Sequence, residues 1–112
     1  MSLDFYLVAR VDGRRVEVFE VNITHNLVPM WKKAGVYDAL YESEGKLARD
    51  ILPLLREART QMEDHPSEYE ELNPENGWGD YEGALEFLCQ VIRAAAKFPS
   101  TTTTTTTIGV WA

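Results

Sequence analysis

The sequence predicts an α+β fold: a small, mostly antiparallel sheet, built from an N-terminal hairpin and a C-terminal strand, packed on three helices. Three observations carry this. Two runs rich in β-branched and aromatic residues, Leu3 to Val11 and Val16 to Thr24, flank Asp12-Gly13. Two later segments repeat apolar residues at spacings of three and four. A third β-favouring stretch follows Pro99. An order β-β-α-α-α-β with amphipathic helices packs most simply as one sheet with helices on one face.

The hairpin comes first. Asp-Gly is the preferred pair for a two-residue turn because both central positions need positive φ. On the second strand Phe19, Val21 and Ile23 share one face at period two, and Glu20, Asn22 and Thr24 share the other. The first helix follows, with Asn26 or a neighbour as its cap and Pro29 in the first turn, where a missing N–H costs nothing. Met30, Ala34, Tyr37 and Tyr41 fall on one helical face. Gly35 interrupts at a cost of about 1 kcal/mol against alanine and divides the helix into two short pieces.

Leu47, Ile51, Leu54, Leu55, Ala58 and Met62 define a second helix, with Pro53 predicting a kink or a start near Asp50. Ser67-Glu68-Tyr69-Glu70 has capping-box form and predicts a helical turn inside an otherwise irregular acidic segment. The third helix runs from about Asp80 to Lys97 with Tyr81, Leu85, Leu88, Ile92 and Ala95 as its core stripe, widened by Ala84, Val91 and Ala96. Seven threonines, Thr101 to Thr107, precede Ile108 to Trp111. A homopolymer has no alternation to fix register. The expected strand is therefore Ile108 to Trp111, with the threonines as a loop and strand entrance.

At 112 residues the chain is expected to form one domain, 1–112, with 101–107 a low-complexity segment in its tail. No stretch approaches the roughly 20 apolar residues of a membrane span. The single cysteine, Cys89, excludes an internal disulfide and fits a reducing compartment. The N-terminus lacks a basic region followed by an apolar core. A cytoplasmic protein with no membrane partner is expected. The net charge is −7. Direct nucleic-acid binding is not expected, because a phosphate backbone needs clustered Lys and Arg. Nine carboxylates fall between Glu63 and Glu86, and no Lys or Arg occurs between Arg59 and Arg93. One surface is therefore expected to be strongly negative.

Two segments stand out chemically. Asn22-Ile23-Thr24-His25-Asn26 places four polar side chains where a strand hands over to a helix. Such residues commonly bond the local backbone. They also offer directional donors and acceptors to a polar ligand. In Asn76-Gly77-Trp78-Gly79-Asp80-Tyr81 the glycines permit sharp turns, and Asp80 suits a helix cap. Asp80 and Glu82 disfavour phosphate at that helix end. Trp78 and Tyr81 have the flat faces of a stacking wall. Trp31, Lys32, Lys33 and Tyr37 follow His25 on the first helix. The candidate ligand-binding set is therefore Asn22, Thr24, His25, Asn26, Trp31, Asn76, Trp78 and Tyr81.

Enzyme signatures are missing: there is no nucleophile elbow and no P-loop. His25 and His65 lie far apart without Cys or carboxylates at zinc spacing. His25 has the chemistry of a general base, but no catalytic partner is identifiable. No catalytic residue, metal or cofactor is expected.

Asn22-Ile23-Thr24-His25-Asn26-Leu27 and Asn76-Gly77-Trp78-Gly79-Asp80-Tyr81, with Ala34-Gly35-Val36-Tyr37 between them, resemble motifs of a group of small bacteriophage and prophage proteins, including those of actinobacterial phages. The resemblance spans roughly Val16 to Pro99; the threonine-rich end departs from it. It implies a phage-type origin and no particular catalysis. The expected function is a non-catalytic phage-type accessory protein that binds a polar, nucleotide-like small ligand. The alternative is an acidic interaction module that blocks a basic host protein surface, as a nucleic-acid mimic would.

Overall fold

The computed structural model describes residues 2–108. Strands β1 (Ser2–Val11) and β2 (Arg14–Thr24) form the hairpin. Asp12 and Gly13 both take positive φ, as their turn requires. A 3₁₀ turn, His25–Leu27, leads into α1 (Val28–Ala34) and α2 (Tyr37–Tyr41). Helices α3 (Ala48–Asp64), α4 (Pro66–Glu70) and α5 (Tyr81–Lys97) follow, then β3 (Thr102–Ile108). The sheet is antiparallel, in the order β2-β1-β3. This is an α+β fold with five α-helices among the described residues, where the apolar pattern predicts three.

Two local causes account for the extra helices. Gly35 adopts φ +76° and closes α1 as its left-handed cap. That turn resets the phase, so the buried face of α2 is Val36, Ala39 and Leu40. Tyr37 and Tyr41, predicted to continue the stripe of Met30 and Ala34, are only partly buried and stack on each other at 4.7 Å. The second cause lies at His65, where the backbone leaves helical geometry before Pro66 starts α4. Pro53 lies inside α3, which starts at Ala48 rather than near Asp50.

The core forms where Leu3, Phe5 and Leu7, one face of β1, meet Leu27, Met30, Trp31, Ile51, Leu55, Met62, Leu88 and Val91. Leu54 is half exposed, while Ala48 and Leu52 take buried positions on α3. On α5 the stripe is rotated toward Phe87 and Ala94, leaving Leu85 half-buried and Ala96 exposed. Phe19, Val21 and Ile23 pack against this core from β2, and Glu20 and Asn22 face outward, as the alternation predicts. A bulge between the pairs Leu7–Phe19 and Val8–Glu17 leaves Val18 without a partner on β1.

The third strand is a correction. The threonines themselves form it, from Thr102, rather than a loop before it. Ile108 is its last residue, and the rest of the predicted strand, Gly109 to Trp111, lies outside the described residues. What fixes the homopolymer is its outer edge. There Gly45 N–H donates to the Thr103 carbonyl, Thr103 N–H to Lys46 and Ala48 N–H to Thr101, at 2.8–2.9 Å. Thr105 N–H donates to the Glu44 carboxylate at 3.1 Å. Thr103 is fully buried, and its hydroxyl exchanges hydrogen bonds with the carbonyl and hydroxyl of buried Ser43. Segment 43–48 is thus a strap that covers an edge which would otherwise offer free pairing groups.

Candidate functional site

The handover from β2 to α1 is built by Thr24. Its backbone is extended, and its hydroxyl accepts from Asn26 N–H at 3.3 Å. Thr24, not Asn26, therefore caps the turn. This frees the Asn26 side chain. Its amide donates to Asn76 Oδ1 at 3.5 Å and to the Trp78 carbonyl at 3.4 Å, across fifty positions of sequence. Both contacts are long, near the limit for a hydrogen bond.

The loop that carries Asn76 and Trp78 is held by its own bonds. Asn76 Oδ1 also accepts from Trp78 N–H at 3.0 Å. Asn73 Oδ1 accepts from Tyr81 N–H at 2.8 Å, and Asp80 caps α5 by accepting from Gly83 N–H at 2.7 Å. Gly79 sits at φ +101°, and a Cβ there would lie 2.7 Å from Thr24 Cγ2. Glycine lets this loop lie directly on the β2–α1 junction. The two polar motifs therefore meet.

Other members of the candidate set are elsewhere. Asn22 is on the outward sheet face, opposite Asp4, and donates to its carboxylate at 2.6 Å. Trp31 is fully buried, tilted against Phe87 at 5.7 Å, with its indole N–H unpaired. Tyr81 is buried, and its hydroxyl donates to the Met62 carbonyl at 2.7 Å. Tyr81 is thus withdrawn from the stacking wall expected with Trp78, because α5 turns that position into the core, as α1 does with Trp31. His25 packs edge-on against Tyr41 at 5.4 Å, and its Nδ1 is buried without a partner. Lys32 lies over the Tyr37 ring, while Lys33 pairs with Glu68 at 3.5 Å and lies over Tyr69.

Trp78 is 63% exposed, within the carboxylate-rich stretch of the sequence. Beside it in sequence, a cleft of about 220 Å³ is lined by Glu70, Asn73, Asp80, Tyr81 and Glu82. The negative field is felt by its phenol: burial, then Glu63 and Glu70, push the Tyr81 pKa above its ordinary value. Tyr69 is raised likewise, by burial and then Glu68 and Tyr81. Glu70, Asn73, Asp80 and Glu82 were not in the candidate ligand-binding set. Their signal was present in the run of carboxylates without a Lys or Arg, and in Asn73-Pro74 a short turn before the helix. Among the described residues no group of His, Cys, Asp and Glu is arranged to hold a metal, and no helix is long and apolar enough to cross a membrane. No family model, curated protein or solved structure matches the chain.

Proposed function

We propose that the protein is a non-catalytic interaction module which docks a basic protein surface through its acidic face, with Trp78 as the anchor. The carrying observation is the exposed indole of Trp78, set in a stretch rich in carboxylates with no Lys or Arg between Arg59 and Arg93. An exposed tryptophan in a charge-rich stretch has the composition of a binding hot spot. The cleft of Glu70, Asp80 and Glu82 suits an ammonium or guanidinium group of the partner. The motif resemblance to phage proteins supports a host protein as that partner, met in the host cytoplasm.

The test is titration with an arginine-rich peptide, followed by calorimetry at rising salt. Affinity should fall steadily between about 0.1 M and 1 M salt, as the screening length shrinks from about 10 Å to 3 Å. Trp78→Ala should weaken binding by about 2 kcal/mol or more. Binding that ignores salt, or its complete absence, overturns the reading.

A second reading keeps the small polar ligand. It is supported by the convergence of Asn26, Asn76 and Trp78, whose long mutual contacts a better-placed ligand would replace. Calorimetric titration with nucleotides and cyclic nucleotides tests it. No heat with any of them, together with unchanged behaviour of His25→Ala and Trp78→Ala, removes it.

A further inference from the structure

Helix α5 carries opposite chemistry at its two ends. At its start lie Asp80, Glu82 and the exposed Trp78. At its other end α5 and β2 enclose a groove of about 390 Å³, floored by Val18, Phe19, Ala94 and Phe98 and edged by Arg93 and Lys97. Neither cation has a carboxylate partner among the described residues. Lys97 lies over the ring of Phe98 at 5.4 Å, so in a protein of net charge −7 the two cations stand at the groove without a carboxylate. The groove also lies at Val18, where the bulge interrupts the β2 edge. Strand addition is blunted there, so an occupant is recognised by side chains.

We propose that this groove receives the Trp78 loop of a second copy of the chain. The indole would fill the apolar floor and gain cation–π contact with Arg93 or Lys97. Glu75, Asp80 and Glu82 of the incoming loop would face the two cations. One copy cannot satisfy its own groove: the 17 residues of α5 separate its two ends by about 25 Å. The contact is therefore head-to-tail, and it closes into a ring or extends as a chain. The proposal rests on the reading of the Trp78 loop as a docking element and names one partner for it.

Salt is a poor discriminator here, because it screens both the local pairing and the mutual repulsion of two anionic molecules. Complementing variants are decisive. Wild-type protein should show a weight-average mass that rises with concentration in sedimentation equilibrium. Trp78→Ala, which keeps the groove, and Arg93→Glu with Lys97→Glu, which keeps the loop, should each sediment as monomers. Mixed in equal amounts they should form a dimer and stop there, since each supplies the half the other lacks. All three changes are at exposed side chains, and far-ultraviolet circular dichroism checks that each variant is folded. A wild type that stays monomeric up to about 1 mM, the weak end of specific association, overturns the proposal. So does a mixture that stays monomeric, or association that survives both variants. If the wild type is monomeric yet still binds the arginine-rich peptide, only self-recognition falls and the docking surface stands.

Discussion

At the scale of single residues, Gly79 and Tyr41 make the sharpest claims. Gly79 combines φ +101° with the press of Thr24 Cγ2 against the place a Cβ would occupy. Gly77 has φ +75° and open space around it. Gly79→Ala should therefore destabilise the fold by about 2–3 kcal/mol, from overpacking added to backbone strain. Gly77→Ala should lose only the backbone part, about 1 kcal/mol. Urea unfolding of the two variants checks the difference; equal losses would mean that Thr24 and Gly79 are not in contact.

Tyr41 holds a hydroxyl that is buried without a partner, and burial, then Tyr37, push its pKa up to about 12 from 10.0. The folded state thus keeps a proton that the unfolded state gives up sooner. The associated stability is complete below pH 10 and is lost as pH rises toward 12. Tyr6, Tyr69 and Tyr81 are shifted in the same direction and share in the loss. Tyr41→Phe removes an unsatisfied polar group, so it should be neutral or stabilising at pH 7. It should also make the alkaline decline shallower. A decline as steep as wild type, followed by urea midpoint against pH, would place the Tyr41 hydroxyl in water.

At the scale of elements, β3 shows what holds a strand when its sequence does not. Seven identical side chains carry no pattern, and the expected strand was accordingly displaced toward Ile108 to Trp111. The register comes instead from groups far away in sequence: the strap at Gly45, Lys46 and Ala48, and the Ser43–Thr103 pair. Thr103→Val should cost about 1–3 kcal/mol, because it strands the buried Ser43 hydroxyl, while the Ser43 carbonyl keeps its bond from Lys46 N–H at 2.8 Å. Thr104→Val, on the outward face opposite Tyr6, loses only an exposed hydrogen bond from the Arg15 guanidinium and should change stability by less than about 0.5 kcal/mol. Thermal or urea unfolding of the pair tests whether the threonines are equivalent. By contrast the hairpin, α3 and α5 were legible, since Asp12-Gly13 and the three-and-four spacing each specify one geometry. Gly35 was legible as a break, but its consequence was not. A left-handed cap rotates the following helix, and no apolar count shows by how much.

At the scale of the whole molecule, the α+β class follows from composition and element order alone. The candidate site was only partly legible. That Asn26, Asn76 and Trp78 come together depends on where the loop before α5 crosses the β2–α1 junction, and spacing does not encode that path. Nor did the sequence separate Trp31 from Trp78. Trp31 lies between Met30 and the Lys32-Lys33 pair and Trp78 between two glycines, yet one fills the core and the other stands in solvent. The pair Arg93 and Lys97, one helical turn apart beside Phe98, was visible as a return of positive charge after a long acidic stretch. Its meaning needed the folded position of Val18 and Phe19 beside it.

The strand order β2-β1-β3 has a consequence for the order of biosynthesis. The middle strand leaves the ribosome first, and one of its two neighbours leaves about a hundred residues later. While the residues between β2 and β3 are being made, β1 is paired on one side only, its other flank bare. The three-stranded sheet is therefore completed only after the threonine run has emerged, and until then an unpaired strand edge is exposed to wrong pairing.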